Sequence, residues 1–235
     1  MNSLNVLSGG AAQGLVGSLA AKFKTLTGFD IGGEFGAVGA MADKLRKGAP
    51  TDIVILTAAI VGKLAEVKLV VPASISDVGL VETALAVRAG DPQVSAPDAA
   101  TLRTAFLAAD AIFVPDTKNS TAGIHVAKVL VQLGIADTVA DRLKIYPNGA
   151  TAMRHMAGSD AARPIGCTQS TEIISTEGVV LSGSLPKGCD LATMYTAGVT
   201  IQTAHAKQAQ ALIDLLIGAD QQTQRTAAGF LSGSK

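Results

Sequence analysis

The chain has 235 residues, with 19 Lys and Arg against 19 Asp and Glu, so its formal net charge is zero. This neutrality argues against a protein that binds nucleic acid or a membrane surface through bulk charge. Hydrophobic residues make up 48% of the chain, which supports a large aliphatic core and excludes intrinsic disorder. Aromatic residues make up only 3%, so we expect a ligand to be held by hydrogen bonds and not by stacking on aromatic faces.

The length allows one large domain or two small ones. No apolar run approaches the roughly 20 residues that span a bilayer, so no transmembrane segment is predicted. No cationic segment or long apolar stretch precedes Leu4, and we expect a periplasmic location if a leader has been removed and a cytoplasmic one otherwise. Cys167 and Cys189 are too few for a disulfide framework and too far apart for a redox pair, and are predicted to be buried free thiols.

In the first part of the chain, short apolar runs are each followed by a small-residue loop and a segment of helical period. Residues 4–7 form the first predicted strand, before a helix that ends at Gly28 and carries Leu15, Leu19, Phe23 and Leu26 on one face. The next predicted strands are residues 29–35 and 52–56, each followed by a helix, and residues 78–87 form an extended stretch.

The second part of the chain repeats this alternation. A turn over residues 96–98 begins a helix, and the predicted strands are 112–114, 143–146, 164–167 and 179–181. Helices are predicted after the loop that ends at Thr121, over residues 150–157 and over residues 206–217, and an extended stretch covers residues 192–201. Strands that alternate with helices predict parallel sheets with helices on both faces, the doubly wound α/β class.

The loops at the predicted strand ends are built from small residues and contain no acidic residue. In open α/β sheets a ligand lies beyond the carboxyl ends of the strands, where backbone N–H groups and helix N-termini converge. An acid-free helix N-terminus suits an anion, although each loop taken alone could be an ordinary N-cap or tight turn. The predicted ligand-binding residues are Ser8, Gly9, Gly10, Ala11, Gly36, Ala37, Val38, Thr57, Asn119, Ser120, Thr121, Ala122, Asn148, Gly149, Ala150, Gln169 and Ser170.

Other kinds of site find no support. The P-loop and the hydrolase nucleophile elbow are absent, and the glycine spacing of a dinucleotide site is incomplete, which makes a dehydrogenase a distant alternative. The histidines lack the spacing of a helical metal site, so neither a metal nor another cofactor is predicted. His125 could approach a ligand or lie on a helix surface, and Glu172 could act as a base or as a helix cap, with the second role favoured for each.

Several segments resemble the periplasmic molybdate-binding protein family, a branch of the type II bilobal solute-binding receptors of ABC importers. Residues 35–41 read Phe-Gly-Ala-Val-Gly-Ala-Met, and residues 45–55 read Leu-Arg-Lys-Gly-Ala-Pro-Thr-Asp-Ile-Val-Ile, as in the family's strand, small-residue run, helix and following strand. Residues 120–123, 148–153 and 166–172 fall in order where the family places its second-lobe loops. The resemblance implies two α/β lobes joined by two extended crossings, with the ligand cleft between the lobes.

The resemblance assigns residues 1–82 and 200–235 to the first lobe and residues 83–199 to the second. It also implies a small anionic ligand, a monomer and, if the protein is exported, an ABC importer membrane subunit as partner. The family's oxyanion-binding serines are matched by Ala11, with Ser8 three positions earlier, and by Ala37-Val38-Gly39, while a family tyrosine is matched by Gln169. Methyl groups cannot replace hydroxyl donors to an oxyanion, so an organic carboxylate or polycarboxylate is favoured over molybdate.

Within this family the Ser-Thr-Ala-Gly loop at 120–123, the Tyr-Pro-Asn-Gly segment at 146–149 and the Thr-Glu-Ile run at 171–173 resemble an aconitate-isomerase-like subgroup. The alternative function is therefore a cofactor-independent isomerase that interconverts the cis and trans forms of a tricarboxylate. Such chemistry needs a base that removes an allylic proton and an acid that returns one.

Overall fold

The computed structural model describes residues 2–232, and strands alternate with helices along most of this range. The strands are β1 (Ser3–Gly9), β2 (Asp30–Gly36), β3 (Ile53–Thr57), β4 (Ser76–Arg88), β5 (Ala111–Pro115), β6 (Leu143–Tyr146), β7 (Pro164–Gln169), β8 (Val179–Ser184) and β9 (Ala192–Val199). The helices are α1 (Gln13–Thr27), α2 (Val38–Arg46), α3 (Ala58–Glu66), α4 (Ala99–Ala108), α5 (Thr121–Gln132), α6 (Ala136–Val139), α7 (Gly149–Ala157), α8 (Ser170–Ile174), α9 (Ala206–Ile217) and α10 (Gln222–Ala227). The predicted α/β class is confirmed.

The chain divides into two compact units. Unit 1 contains the residues up to Val81 and those from Thr193 onward, and unit 2 is Glu82–Ala192. The resemblance assigns residues 193–199 to the second lobe, whereas in the structure they belong to unit 1, where residues 195–199 of β9 pair with β3. Residues 1 and 233–235, which the sequence assigns to the first lobe, lie outside the described residues.

The sheet of unit 1 has the order β2, β1, β3, β9. The first three strands are parallel, and β9 is antiparallel to β3. In α1 the predicted core positions Leu15, Leu19 and Phe23 are fully buried, and Gly28 ends the helix with a positive φ of 75°. Leu26, predicted for the same face, is instead 66% exposed, because it lies in the last turn of α1, beyond the core that buries the earlier positions.

The sheet of unit 2 has the order β8, β4, β7, β5, β6. The strands β5, β6 and β7 are parallel, while β4 is antiparallel to both β7 and β8. Alternate side chains along β5 enter different cores: Ile112 and Val114 pack in one hydrophobic cluster, and Ala111 and Phe113 pack in another. Both sheets are therefore mixed, not wholly parallel as predicted, because the strands that continue into the other unit, β4 and β9, run antiparallel to their neighbours.

Candidate anion-binding site

In unit 1 the three parallel strands end at one edge of the sheet. β1 ends at Gly9, β2 at Gly36 and β3 at Thr57, and each is followed by a helical segment. The predicted residues Gly10, Ala11, Ala37, Val38 and Thr57 therefore lie at the same edge. Parallel strands place their carboxyl ends and the following helix N-termini together, so backbone N–H groups of several segments are oriented toward one region.

These helix starts in unit 1 carry neither a capping side chain nor an acid. Within residues 2–232, Ala37 and Thr57 are the N-cap residues of α2 and α3 and make no side-chain capping hydrogen bond, and the first turns contain no acidic residue. The same holds, among the described residues, for Gly9 at the start of the turn Gly10–Ala12. The positive end of each helix dipole is thus left without a negatively charged side chain, which favours an anionic ligand.

Ser8 is oriented differently from the sequence prediction. Its side chain is fully buried, and its hydroxyl donates to the carbonyl oxygens of Gly9 at 2.9 Å and Ile55 at 3.2 Å. Because a hydroxyl has one proton, Ser8 has no donor left for an anion. Gly9 is a packing position, since a Cβ there would lie 2.8 Å from both Tyr195 Cε1 and Val38 Cγ1. Unit 1 therefore offers backbone donors and not side-chain hydroxyls from this loop.

In unit 2 the strands β5, β6 and β7 also end at one sheet edge, but here carboxylates belong to the loops. Asp116 follows β5, and its carboxylate accepts hydrogen bonds from the N–H groups of Lys118 at 2.7 Å and Asn119 at 3.2 Å and from Asn119 Nδ2 at 2.8 Å. The Asn119 side-chain hydrogen bond, followed by that of the Lys118 N–H, lowers the pKa of Asp116 below 3.8. Asn119 is therefore engaged within its own loop, while Ser120 and Thr121 begin α5 half-buried.

The start of α7 is occupied by a second internal carboxylate. Asn148 is a true N-cap, since its Oδ1 accepts from the N–H of Thr151 at 2.8 Å. The Glu172 carboxyl accepts hydrogen bonds from the backbone N–H groups of Gly149 and Ala150, the first residues of α7. A Cβ at Gly149 would lie 1.9 Å from Glu172 Oε2, so a glycine is needed for this close approach. The start of α7 is thus occupied by a carboxyl group of the protein itself.

Glu172 also joins α8 to β7. It is 4% exposed, its Oε2 accepts from Thr168 Oγ1 at 2.6 Å, and the backbone N–H of Gln169 donates to the same carboxyl. Burial raises the pKa of Glu172 above 4.5, while the hydrogen bonds from Thr168 and the three N–H groups act in the opposite direction. The carboxyl thus accepts from donors at the starts of α7 and α8, which is the arrangement of the capping role that the sequence favours over that of a base.

Beside Glu172, three buried side chains at the end of β7 keep polar atoms unpaired. Within residues 2–232, Thr83 Oγ1, Thr171 Oγ1 and both amide atoms of Gln169 have no hydrogen-bond partner. Their residues are only 1%, 3% and 2% exposed, respectively. Ser170, the remaining predicted residue here, begins α8 and is buried. Gln169 is thus the predicted residue whose side chain has full hydrogen-bonding capacity to offer a ligand.

The remaining candidates have structural roles. His125 Nε2 lies 2.8 Å from the Cys189 carbonyl oxygen and donates to it, which ties α5 to the segment after β8. Both cysteines are buried free thiols, as predicted, and burial raises the pKa of Cys167 to about 12. In the part of the chain that the structure describes, no group of three His, Cys, Asp or Glu side chains could hold a metal ion.

Two further features lie outside the candidate site. An apolar cavity of about 400 Å³ in unit 2 is lined by Val87, Pro164 and Ile165, so it adjoins the start of β7 and not its end. Between residues 2 and 232, no single helix has the length and apolarity to cross a membrane, although Thr121–Gln132 and Ala136–Arg142 meet that test as a pair bent by 118°.

Four residues that shape the unit 2 edge are not among the residues predicted from the sequence: Asp116, Thr168, Thr83 and Thr171. Thr83 could have been found as a hydroxyl inside the apolar run 78–87, where a side chain of that kind needs a partner. Asp116 lies three residues before Asn119, where the predicted binding segment begins. The approach of Glu172 to the start of α7 has no local signal, because it depends on the packing of α7 against α8.

The chain is similar to several known proteins. The chain is 24% identical over 231 residues to an aconitate isomerase from a Pseudomonas species, covering 94% of this chain and 84% of that protein. The periplasmic molybdate-binding protein of Azotobacter vinelandii has a similar structure, with a TM-score of 0.80 and 19% identity over 98% of this chain and 100% of that one. The sulfate-binding protein SubI of Mycobacterium tuberculosis gives a TM-score of 0.75 and 16% identity over 98% and 86% of the two chains.

The similarity to solved structures establishes the fold, which is that of periplasmic binding proteins. The family described as bacterial extracellular solute-binding protein matches residues 4–231, nearly the whole of the chain. The predicted resemblance is confirmed at this level, and the chain belongs to the bacterial extracellular solute-binding protein family.

Proposed function

We propose that this protein binds a small organic anion, a carboxylate or polycarboxylate, at the strand-end loops described above. The observation that carries the proposal is the set of acid-free helix starts in unit 1, where Ala37 and Thr57 leave the first N–H groups of α2 and α3 without a capping side chain among the described residues. Such N–H groups bind anions through their dipoles and need no lysine or arginine. Membership of a solute-binding family supports the same conclusion.

The choice of a carboxylate over molybdate follows from the side chains at these positions. Ala11 and Ala37 stand where the resembling family carries oxyanion-binding serines, and Ser8 donates its proton to backbone carbonyls. A tetrahedral oxyanion bound here would lose hydroxyl donors, each worth about 1–3 kcal/mol when its acceptor is left unpaired. A carboxylate has fewer acceptor oxygens per charged group and can be satisfied by backbone N–H groups.

A thermal-shift series tests the proposal. We expect citrate or another polycarboxylate to raise the unfolding temperature in a concentration-dependent way, because a ligand that binds only the folded state stabilises it. Molybdate, tungstate and sulfate are the comparison anions, and the Ala11→Ser, Ala37→Ser double variant is expected to gain affinity for molybdate. A shift with molybdate alone in the unmodified protein would overturn the carboxylate assignment, and no shift with any anion would overturn the binding function.

A second candidate function is a cofactor-independent isomerase acting on a tricarboxylate. The similarity to an aconitate isomerase over 94% of the chain favours it. If the chain is such an enzyme, its base is a group other than Glu172, which is buried and held by Thr168 and by backbone N–H groups. Incubation with trans-aconitate, followed by NMR, decides the matter, since conversion to the cis isomer would establish the enzyme and an unchanged spectrum at high protein concentration would exclude it.

The proposed receptor has a periplasmic location and an ABC importer membrane subunit as its partner, both supported by the solute-binding family. Copurification of the full-length gene product with a membrane permease in the presence of ligand tests the partner. Fractionation of the cells tests the location, and recovery of the protein in the cytoplasm would favour the isomerase.

A further inference from the structure

A cluster of unpaired polar groups lies where β7 ends. Thr83 and Gln169 are directly opposite each other in the antiparallel pairing of β4 with β7, and Thr171 follows two residues after Gln169. All three are at least 97% buried, and within residues 2–232 the two hydroxyls and both amide atoms of Gln169 have no hydrogen-bond partner. Buried polar groups in native proteins are nearly always paired, so this concentration points to a partner from outside the chain.

The neighbouring residue Thr168 carries a buried hydroxyl that the fold does use. Thr168, one position before Gln169, is fully buried and donates its hydroxyl to Glu172 at 2.6 Å. Glu172 also accepts from the backbone N–H of Gln169, which fixes the backbone from which the Gln169 side chain extends. Gln169 is the N-cap residue of α8, yet among the described residues its amide makes no capping hydrogen bond. The backbone of Gln169 is therefore fixed by a hydrogen bond, while its side-chain amide makes no hydrogen bond within residues 2–232.

The donors and acceptors of this cluster constrain the ligand. Gln169 presents an NH₂ group, which donates, and a carbonyl oxygen, which only accepts, and exchanging the two amide atoms changes only their positions. Molybdate and sulfate are fully deprotonated at neutral pH and can only accept hydrogen bonds. Bound here, such an ion would place its oxygen lone pairs against the Gln169 carbonyl oxygen, and neither atom could donate to the other. A ligand that satisfies Gln169 must both accept and donate.

We infer that the ligand is a hydroxycarboxylate whose hydroxyl is recognised by Gln169 together with Thr83 and Thr171. This inference rests on the proposed carboxylate-binding function and narrows its substrate class. A hydroxyl fits better than an ammonium group, because the three side chains are neutral and the nearby carboxyl of Glu172 is already bound by Thr168 and backbone N–H groups. An ammonium buried without a charged partner is strongly disfavoured.

The test compares acids that differ only at the hydroxyl position. Calorimetric titration of the full chain with citrate and tricarballylate, and with malate and succinate, measures the contribution of the hydroxyl in two frameworks. We expect the hydroxy acid of at least one pair to bind about tenfold or more tightly, because the analogue leaves buried groups of the protein unpaired. Aspartate, in which an ammonium replaces the hydroxyl of malate, is expected to bind more weakly than malate.

Two Gln→Met variants assign this preference to a residue. Gln169→Met removes the donor and the acceptor at similar size, and we expect the ratio of the two affinities to fall close to one. Gln132→Met is the matched control in the same unit, because the Gln132 amide donates to the Gly188 carbonyl oxygen at 3.0 Å and stands on the exposed side of α5. We expect this variant to keep the preference. Both variants are checked for a cooperative unfolding transition before titration.

The outcomes separate this inference from the proposed function. Equal binding of both acids in each pair would leave the carboxylate function intact and overturn the hydroxyl inference, as would tighter binding of aspartate than of malate. Binding of molybdate or sulfate with no carboxylate bound would overturn both. A hydroxyl preference that survives in Gln169→Met at full strength would overturn the assignment to Gln169, even if hydroxy acids are the ligands.

Discussion

The two units bring their strand-end loops to a sheet edge in the same way but treat charge there in opposite ways. In unit 1 the loops after β1, β2 and β3 contain no acid, and Ala37 and Thr57 are N-caps without a side-chain bond among the described residues. In unit 2 the corresponding loops bind carboxylates of the protein, Asp116 after β5 and Glu172 at the start of α7. A helix start free of acid can thus be open to a ligand or already bound by a distant side chain.

This difference divides the two sheet edges by the kind of contact that each offers to a ligand. Unit 1 offers uncompensated helix dipoles, which favour negative charge of any shape. In unit 2 the carboxyl of Glu172 occupies the start of α7, while Ser120 at the start of α5 makes no side-chain capping hydrogen bond among the described residues. Beside Glu172, the neutral groups of Thr83, Gln169 and Thr171 have no hydrogen-bond partner within residues 2–232 and can distinguish ligands by their donors and acceptors. The two edges thus differ in what they offer: uncompensated helix dipoles in unit 1 and neutral hydrogen-bonding groups in unit 2. The predictions below test that division.

The largest effect is expected for Gly149→Ala. The new Cβ would lie 1.9 Å from Glu172 Oε2 and 2.0 Å from Thr168 Oγ1, both in a buried hydrogen-bonded group, so we expect a loss of about 3 kcal/mol in the free energy of unfolding. Gly9→Ala in unit 1 meets only the side chains of Tyr195 and Val38 at 2.8 Å, and should cost about 1 kcal/mol. Urea denaturation measures both.

Gly17→Ala is the control for these substitutions. Gly17 lies in α1 with nothing within 4 Å of the added Cβ, and we expect a gain of about 0.5–1 kcal/mol. Equal costs at Gly149 and Gly9 would contradict the claim that the carboxyl of Glu172 is packed against the start of α7.

Threonine-to-valine substitutions probe which hydroxyls the fold uses. Thr168→Val should lower the free energy of unfolding by about 1–3 kcal/mol, because it removes a donor from the buried carboxyl of Glu172. Thr83→Val and Thr171→Val remove hydroxyls that have no partner among residues 2–232, and each should raise the stability of the ligand-free protein by about 1 kcal/mol. If Thr83→Val destabilised the protein as much as Thr168→Val does, the proposed division would be wrong.

Giving unit 1 a carboxylate of its own should make it resemble unit 2. Ala37 has the extended backbone of an N-cap, with φ −62° and ψ 130°, so Ala37→Asp should cap α2 and stabilise the protein by about 1 kcal/mol. The same charge should repel an anionic ligand and weaken its binding by about tenfold. Ala37→Ser is the control, because it caps without charge and should gain stability without losing affinity for carboxylates. Calorimetric titration and urea denaturation of both variants check these expectations.

Most of the fold could be predicted because its signals are local. The apolar runs and helical periods gave β6 and α9 with the observed bounds, and the turn before α4 was found because Asp98 caps that helix, accepting from the Thr101 N–H at 2.8 Å. The helices α6, α8 and α10 were missed, since they have at most six residues and too few turns to show a period. The antiparallel direction of β4 and β9 was missed because alternation of strands and helices carries no information on direction.

The candidate site was only partly predictable, because its electrostatics depend on residues distant in sequence. The glycines and small residues of the loops were found from their positions after strands. The occupant of the α7 helix start was not, since Glu172 lies 23 positions after Gly149 and reaches it only through packing of α8 against α7. The Ser8 hydroxyl is a similar case, because it donates to the carbonyl oxygens of Gly9 and of Ile55, which lies on a neighbouring strand. The sequence shows which loops carry hydrogen-bond donors, but not which of those donors are already bonded to other groups of the protein.

The smallest expected effect is a pH dependence that belongs to unit 2. Burial raises the pKa of Glu172 above 4.5, so the folded protein binds a proton there more tightly than the unfolded chain does. The resulting stability is fully present below pH 4.5 and is lost as the pH rises through the folded-state pKa. Glu172→Gln keeps an acceptor for the N–H groups but cannot titrate. The wild-type protein should therefore lose stability relative to this variant as the pH rises from 4 to 8.

Asp116 should contribute a pH dependence of stability with the opposite sign in the same unit, and Asp116→Asn removes it. Hydrogen bonds from Asn119 and Lys118 lower the pKa of Asp116 below 3.8, so its contribution to stability is present above pH 3.8 and is lost as the pH falls through the lower, folded-state pKa. Urea denaturation of the wild type and both variants across pH 3 to 8 should show two differences of opposite slope. Two slopes of the same sign would mean that Glu172 is held as a stabilised anion and that burial does not dominate its titration. In that case the start of α7 would hold a fixed negative charge, in contrast to the acid-free helix starts of unit 1.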